Sequence, residues 1–292
     1  MYMVAFCIEM KWRRKLKTKK EVTDGVAEWT VWWLAERRKK LVKELSDTMS
    51  VNPFLMPLLF EFHGLNSFSE LSDLVVGGHL MTGHSTGFGK LVDEKILPNV
   101  FGSAKLDSKY RAKAGLNQSF YDEIDHVVIR PNGDVELLSL KAGRWTIQLT
   151  MAVQLNAAFE EILKTFPGKF SKIVVGVFYG KSAGLTDKYD ILRGVNRGKN
   201  HNVIDLQEHV NVYAGREFWS WLNGDNDDTQ DWVHTGFLNG IELHRKSEEL
   251  QPIKVHEYLQ NYREGIQKKY SKYTDLTTGE IDWKKLLVDI NG

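Results

Sequence analysis

Between Tyr121 and Phe178 the chain changes its period twice, and no other feature restricts its fold so tightly. "YDEIDHVVIR" (121–130), "PNGD" (131–134) and "VELLSLK" (135–141) predict strand, tight turn and strand, because Asn132-Gly133 is a strong hairpin signal between two β-prone runs. "WTIQLTMAVQLNAAFEEILKTF" then predicts a long amphipathic helix that stops before Pro167-Gly168. "KIVVGVFYG" predicts a strand that is apolar throughout, as a strand covered on both faces must be. Short strands at "NVIDL" and "VNVYAG" lead into "REFWSWL". This order of elements predicts an α/β fold: a mixed β-sheet core flanked by helices, with helical N- and C-terminal parts.

The flanks follow helical spacing. From about Val22 to Thr48, Val26, Trp29, Trp32, Trp33, Leu34, Leu41 and Leu45 recur at intervals of three, four and seven, opposite a basic face, and predict a core-facing stripe. "NSFSELSDLVVGGHL" opens a second helix with Ser67 and Glu70 spaced as a capping box. "MTGHSTGFGKL" invites a phosphate-loop reading, but the spacing is one residue too long and Leu91 stands where a hydroxyl would hold magnesium, so that reading fails. Beyond Gly224, "TQDWVHTGFLNGIEL" and "KVHEYLQNYREGIQKKY" predict polar helices. The changes of period divide the chain into a basic N-terminal extension (1–20), a helical part (21–75), a core (76–225) and a C-terminal helical part (226–292).

Charge and cysteine content narrow the function classes. Lys and Arg number 39 against 38 acids, so a polyanionic partner must be met by local patches rather than by net charge. Residues 11–20, "KWRRKLKTKK", hold seven basic side chains and read as a solvated tail with little fixed structure. The single cysteine, Cys7, excludes a disulfide framework within the chain and any Cys-rich zinc site, and a reducing, cytoplasmic location is the expectation. No apolar run approaches the length of a membrane span, and the nine histidines show no metal-ligand spacing.

Strand alternation brings chemistry to the hairpin. Val135, Leu137, Ser139 and Lys141 share one face, with Glu136 on the other, while Glu123 and Asp125 share a face on the preceding strand. The hairpin therefore predicts Asp125 close to Lys141. An acid and a lysine so placed suit metal-assisted phosphodiester hydrolysis: the carboxylate holds a hard divalent cation, and the lysine orients or deprotonates the attacking water.

A longer run of text carries a family resemblance. "WWLAERRKKL", "DTMSVNPF", "HLMTGHSTGFGKLVDEKILPNVFG", "YDEIDHV", "ELLSLKAGRWTIQLTMAVQLN", "VVGVFYG", "GLTDKYDILRG", "NHNVID" and "VYAGREFWSWLN" span roughly two-thirds of the chain. Together they resemble type II restriction endonucleases that cut RGGNCCY sites, within the PD-(D/E)XK nuclease class. The resemblance implies a restriction-endonuclease-like core, Mg2+ as cofactor, double-stranded DNA as substrate, Asp125 as the metal-binding aspartate and Lys141 as the water-activating lysine. It departs from the usual pattern at Ser139, where an Asp or Glu normally stands two residues before the lysine.

The second carboxylate must then come from elsewhere. Glu94 on "FGKLVDEKIL" ranks first, Glu123 is a further option, and Gln154 occupies the position used by enzymes with serine before the lysine. Asp125 with the Leu140 carbonyl, phosphate and water is the remaining solution. For DNA contact, Arg144 reads as a phosphate ligand. Lys181, Lys188, Arg193, Asn196, Arg197, Lys199 and Asn200 read as candidate contacts to base edges. An interrupted palindrome presents two equivalent half-sites, which a homodimer matches with one active site per strand. A structure-specific nuclease and a DNA-binding protein that has lost its active site at Ser139 are the rival readings.

Overall fold

The computed structural model describes residues 15–44, 52–141, 143, 147–196, 198–247 and 254–291. Its helices are α1 (Lys19–Glu44), α2 (Leu55–His63), α3 (Phe68–Leu91), α4 (Ser108–Ala114), α5 (Leu149–Thr165), α6 (Lys188–Ile191), α7 (Arg216–Leu222), α8 (Thr229–Arg245), α9 (Val255–Tyr270) and α10 (Trp283–Asn291), with a π-helical segment at Val92–Val100. The chain forms two compact units, one from residues 1–31 and 89–243, the other from 32–88 and 244–292. Both draw on separated stretches of sequence, a division that a change of period along the chain does not reveal.

The first unit is built on a five-stranded mixed sheet in the order β1 (Ala104–Lys105), β2 (His126–Ile129), β3 (Val135–Lys141), β4 (Lys172–Val177) and β5 (Val210–Ala214). β1, β2 and β3 are antiparallel neighbours, whereas β3, β4 and β5 run parallel. The hairpin turn closes as its residues predict. Gly133 takes φ of 96°, its N–H donates to the Arg130 carbonyl, and the Arg130 N–H donates to that of Asp134.

Both faces of the sheet are covered. Leu137, Ile173, Val175 and Val177 join Leu155, Phe159 and Ile162 of α5 in one buried cluster. On the other face Gly176 leaves room for α7: a Cβ there would lie 2.5 Å from the Phe218 ring and 2.9 Å from Leu138. Glu136, also on that face, accepts from Arg130 Nε (2.9 Å) and Nη2 (2.6 Å) and from Trp221 Nε1 (2.8 Å). Arg130 Nη1 donates to the Trp221 carbonyl at 2.7 Å, and its guanidinium lies 4.9 Å from the Trp221 ring centre. The turn end of the hairpin is thus fastened to α7 by a satisfied, largely buried ion pair.

Three expectations are corrected. The first strand of the hairpin is shorter than 121–130, because Ser119–Glu123 forms a 3-10 turn, so Glu123 does not share a strand face with Asp125. "NVIDL" is not a strand, and its Ile204 is 45 % exposed. On α1 the core-facing residues in the first unit are Val22, Thr23, Val26, Ala27 and Thr30 rather than the tryptophans, and Trp32 is 40 % exposed. The cause is close helix packing: Cβ atoms on Gly236 and Gly240 of α8 would fall 2.6 Å from Val26 and 2.5 Å from Thr30, so this crossing admits only small side chains.

The end of the basic extension has fixed structure, against expectation. The Lys17 N–H donates to Asn223 Oδ1 at 2.9 Å, and Asn223 Nδ2 donates back to the Lys17 carbonyl at 3.0 Å. Leu16 packs against Gly224, where a Cβ would lie 2.3 Å from it. Residues 1–14 lie outside the described residues.

The second unit has its own core of Met56, Phe60, Phe68, Leu71, Tyr258, Tyr262, Ile266, Tyr270 and Leu286. Phe68 stacks on Tyr270 with ring centres 5.1 Å apart, and Arg263 grips Asp73 through Nε (2.7 Å) and Nη2 (2.6 Å). The Ser67 hydroxyl accepts from the Glu70 N–H, while the Glu70 carboxylate accepts from Asn66 rather than from Ser67. Among the described residues no helix is long and apolar enough to cross a membrane.

Candidate functional site

The hairpin holds Asp125 at three points. Its N–H donates to the Leu138 carbonyl (2.8 Å), its carbonyl accepts from the Leu106 N–H (2.7 Å), and its Oδ2 accepts from the Leu140 N–H (2.6 Å). Main chain and side chain of Asp125 together thus bond to the backbone on either side of Ser139. Burial pushes the Asp125 carboxyl above its ordinary range; the Leu140 N–H and the nearby Lys141 ammonium oppose that shift, while Asp93 reinforces it. Lys141 is half-buried at the end of β3, paired in register with Val177. The expected juxtaposition of acid and lysine is present.

Ser139 is fully buried, and its Oγ has no hydrogen-bond partner among the described residues. A buried hydroxyl left without a partner is costly, so an atom that accepts it as a neighbour is favoured there. The oxygen groups that meet at this point are the Asp125 carboxylate and the Ser139 hydroxyl. Such a set fits a hard divalent cation that keeps most of its coordination for water and phosphate. Among the described residues no group of three or more His, Cys, Asp or Glu is arranged to hold a metal.

The acid that faces Asp125 from the π-helical segment is Asp93, a residue that sequence reasoning passed over for its neighbour. His126 is fully buried and bridges Ser103 and Asp93, with Nδ1 3.0 Å from Ser103 Oγ and Nε2 2.8 Å from Asp93 Oδ1. Since an ionised carboxylate only accepts, Nε2 donates to Asp93, and Nδ1 shares a hydrogen bond with the Ser103 hydroxyl. Asp93 Oδ2 takes an ion pair from Lys105. Burial alone would push the Asp93 carboxyl up, but its bonds to His126 and Lys105 overcome this and hold it below the ordinary carboxylate range. Both Asp93 oxygens are therefore committed to protein partners.

The alternatives for the second carboxylate are dispersed. Glu94 is exposed and lies 4.0 Å from Lys105. Glu123 sits in the 3-10 turn, and Gln154 lies on the exposed side of α5. Glu136 faces away, as alternation predicts, and is held by Arg130 and Trp221.

The candidate base-reading stretch forms a loop closed at its neck. Asn156 of α5 is buried; its Nδ2 donates to the carbonyls of Leu192 (3.1 Å) and Ile204 (2.8 Å), and its Oδ1 accepts from the Ile204 N–H (2.9 Å). The Leu206 N–H closes on the Arg193 carbonyl at 2.9 Å. Arg193 Nε donates to the Val210 carbonyl (3.1 Å), so this guanidinium helps to build the loop. Asn196 and Asn200 turn their Oδ1 atoms to the main-chain N–H groups of His201 and Asn202, both at 2.9 Å. Lys199 is exposed, and Lys188 pairs with Asp187 at 2.5 Å. Arg144 and Arg197 lie outside the described residues. The return limb of the loop enters β5 at Val210, opposite Ile173, at the end of the sheet away from Lys141.

No protein-family model matches the sequence, and no curated protein matches it significantly.

Proposed function

We propose that this protein is a type II endonuclease of the PD-(D/E)XK class, which makes sequence-specific double-strand cuts in DNA by magnesium-dependent hydrolysis and acts as a homodimer. RGGNCCY-like sites are the expected targets, on the resemblance alone. The observation that carries the reading is the meeting of Asp125 and Lys141 at one end of the β2–β3 hairpin, beside the Ser139 hydroxyl, which has no partner among the described residues.

Asp125 and the Leu140 carbonyl would hold Mg2+, with Ser139 beside them. The bound ion supplies charge neutralisation at the phosphate and lowers the pKa of water. Asp125 is oriented for this by the Leu140 N–H, which engages only one of its two oxygens. Lys141 would orient the attacking water through its ammonium group and stabilise the negative charge that develops as the water's proton passes to bulk solvent. With the α5 cluster packed behind β3, Lys141 starts from a rigid strand end, and catalysis rests on positioning and charge more than on covalent chemistry.

A second reading is a DNA-binding protein of the same fold without catalysis. It is favoured by one observation: Ser139 replaces an acid, and both oxygens of the nearby Asp93 are engaged by protein groups. Incubating the protein with an unmethylated plasmid in magnesium or in EDTA, and sequencing the fragment ends, separates the two. Discrete magnesium-dependent fragments support the endonuclease and give its site. Intact plasmid under both conditions supports the binding protein.

A further inference from the structure

The chain leaving β4 passes the same end of the sheet as Lys141, because β3 and β4 run parallel with Lys141 in register with Val177. There it borders an open surface cleft of about 380 Å³, lined by Tyr179, Gly180, Lys181, Ala183, Gly184 and Leu185. Tyr179 is 58 % exposed, and its hydroxyl end rests on Gly143, where a Cβ would lie 2.2 Å from it. From a second direction the buried Tyr189 donates its hydroxyl hydrogen to the Gly143 carbonyl at 2.8 Å. Two tyrosines therefore hold Gly143, two residues beyond Lys141.

The loop around this cleft is fixed at several points. Trp219 Nε1 donates to the Phe178 carbonyl at 2.9 Å, and the Gly215 N–H donates to that of Val177 at 2.9 Å. Ser182 donates its hydroxyl hydrogen to Glu217 and accepts from the Ala214 N–H at 3.3 Å. Gly180 and Gly215 meet so closely that a Cβ on Gly215 would lie 2.1 Å from the Gly180 carbonyl oxygen, and both have positive φ (95° and 53°). An exposed aromatic ring, an exposed ammonium at Lys181 and small residues that permit close approach thus stand on a preorganised loop beside the candidate catalytic lysine.

We propose that this cleft is a nucleotide subsite. It takes one nucleotide of the DNA strand flanking the scissile phosphate, with the base or sugar against the Tyr179 ring and the phosphate at Lys181. The proposal rests on the endonuclease reading for its substrate. Its chemistry follows from the lining: an aromatic face packs against a deoxyribose or an unpaired base, and a solvated ammonium answers a phosphate. The volume lies within the range of small-ligand sites and suits one nucleotide unit.

The test uses the full chain, with Lys181→Ala, Tyr179→Leu and Tyr179→Phe. The probe is a fluorescein-labelled duplex carrying the wild-type cleavage site, or a random-sequence duplex if the wild type cuts nothing. Binding is measured in calcium over a range of salt, and cleavage in magnesium. Lys181→Ala is expected to weaken duplex binding roughly tenfold at low salt and to reduce the log–log salt slope by about 0.9. Tyr179→Leu is expected to weaken binding roughly tenfold with little change of slope, while Tyr179→Phe, which keeps the ring, binds as the wild type does. Wild-type binding and slope in both Lys181→Ala and Tyr179→Leu overturn the subsite, and if cleavage persists the endonuclease reading still stands. The expected losses in a protein that cuts nothing support the subsite and overturn the hydrolytic reading. A wild type that binds no duplex overturns both.

Discussion

The Asp125 carboxylate accepts the Leu140 N–H at 2.6 Å, so the main chain one residue before Lys141 sets the direction of the acid that immediately precedes β2. A single hydrogen bond across the hairpin couples the two halves of the candidate centre. Burial raises the Asp125 carboxyl, so between the unfolded pKa and the raised folded one the native state binds the extra proton. This contribution to stability is present at acid pH and is lost as pH rises through the folded pKa. In EDTA at neutral pH, Asp125→Asn is expected to melt a few degrees higher than the wild type, and magnesium to raise the melting temperature of the wild type alone. Scanning calorimetry with and without metal checks both.

Lys141→Ala is expected to reduce cleavage by about 10²–10⁴-fold while leaving duplex binding in calcium nearly unchanged, since the ammonium acts on the water rather than on the fold. Lys141→Arg should not restore the rate, because a broad planar guanidinium does not occupy the place of a compact ammonium beside the water. Plasmid linearisation and gel shift report the two quantities. An unchanged cutting rate in Lys141→Ala would exclude the mechanism.

Ser139→Asp places a second carboxylate where the fully buried hydroxyl has no partner among the described residues. The magnesium concentration for half-maximal cleavage is expected to fall. In EDTA the variant should melt below the wild type, because two buried carboxylates then face each other without a cation. A magnesium titration alongside melting curves measures both effects.

Asp93→Ala strips the fully buried His126 of its carboxylate partner and is expected to cost about 1–3 kcal/mol, the range for a buried polar group left unsatisfied. Asp93→Asn keeps an acceptor for His126 Nε2 and should cost less. Because the Asp93 carboxyl is held below its ordinary range, its contribution to stability is present above the unfolded pKa. It disappears as pH falls through the depressed folded pKa. Urea unfolding between acid and neutral pH should therefore show a steeper acid loss for the wild type than for Asp93→Asn.

Glu136→Ala breaks a pair whose side chains are 12 % (Arg130) and 9 % (Glu136) exposed, and also removes the acceptor of Trp221 Nε1. A loss of about 3–5 kcal/mol is expected, as for a buried pair deprived of one partner. Below its melting temperature the variant should keep the cleavage rate of the wild type, since Glu136 lies on the face of β3 opposite Lys141. Denaturant titration and single-turnover cleavage separate stability from chemistry.

The hairpin was legible because its signals are local: Asn132-Gly133 specifies the turn, and strict alternation assigns Ser139 and Lys141 to one face and Glu136 to the other. Asp125 followed from the same geometry. The choice between Asp93 and Glu94 did not, since the two are adjacent and equally acidic. Which one meets His126 and Lys105 depends on how the Val92–Val100 segment docks, and its π-helical winding changes the phase that an α-helical period would assign. The tryptophan stripe failed for a related reason. Helical spacing identifies neighbours on one face but not the partner, and against the glycines of α8 the stripe's Val26 is joined by Thr30 rather than by the tryptophans.

By itself, then, the sequence determined the elements whose causes lie within a few residues: the turn, the alternation, the amphipathic helix after it and the acid–lysine pair across the hairpin. Tertiary structure decided the Ser103–His126–Asp93–Lys105 network, the Asn156 clamp on the loop and the two tyrosines on Gly143. Each of these joins residues that are distant in sequence, and their meeting depends on sheet register and helix docking, which no local pattern encodes.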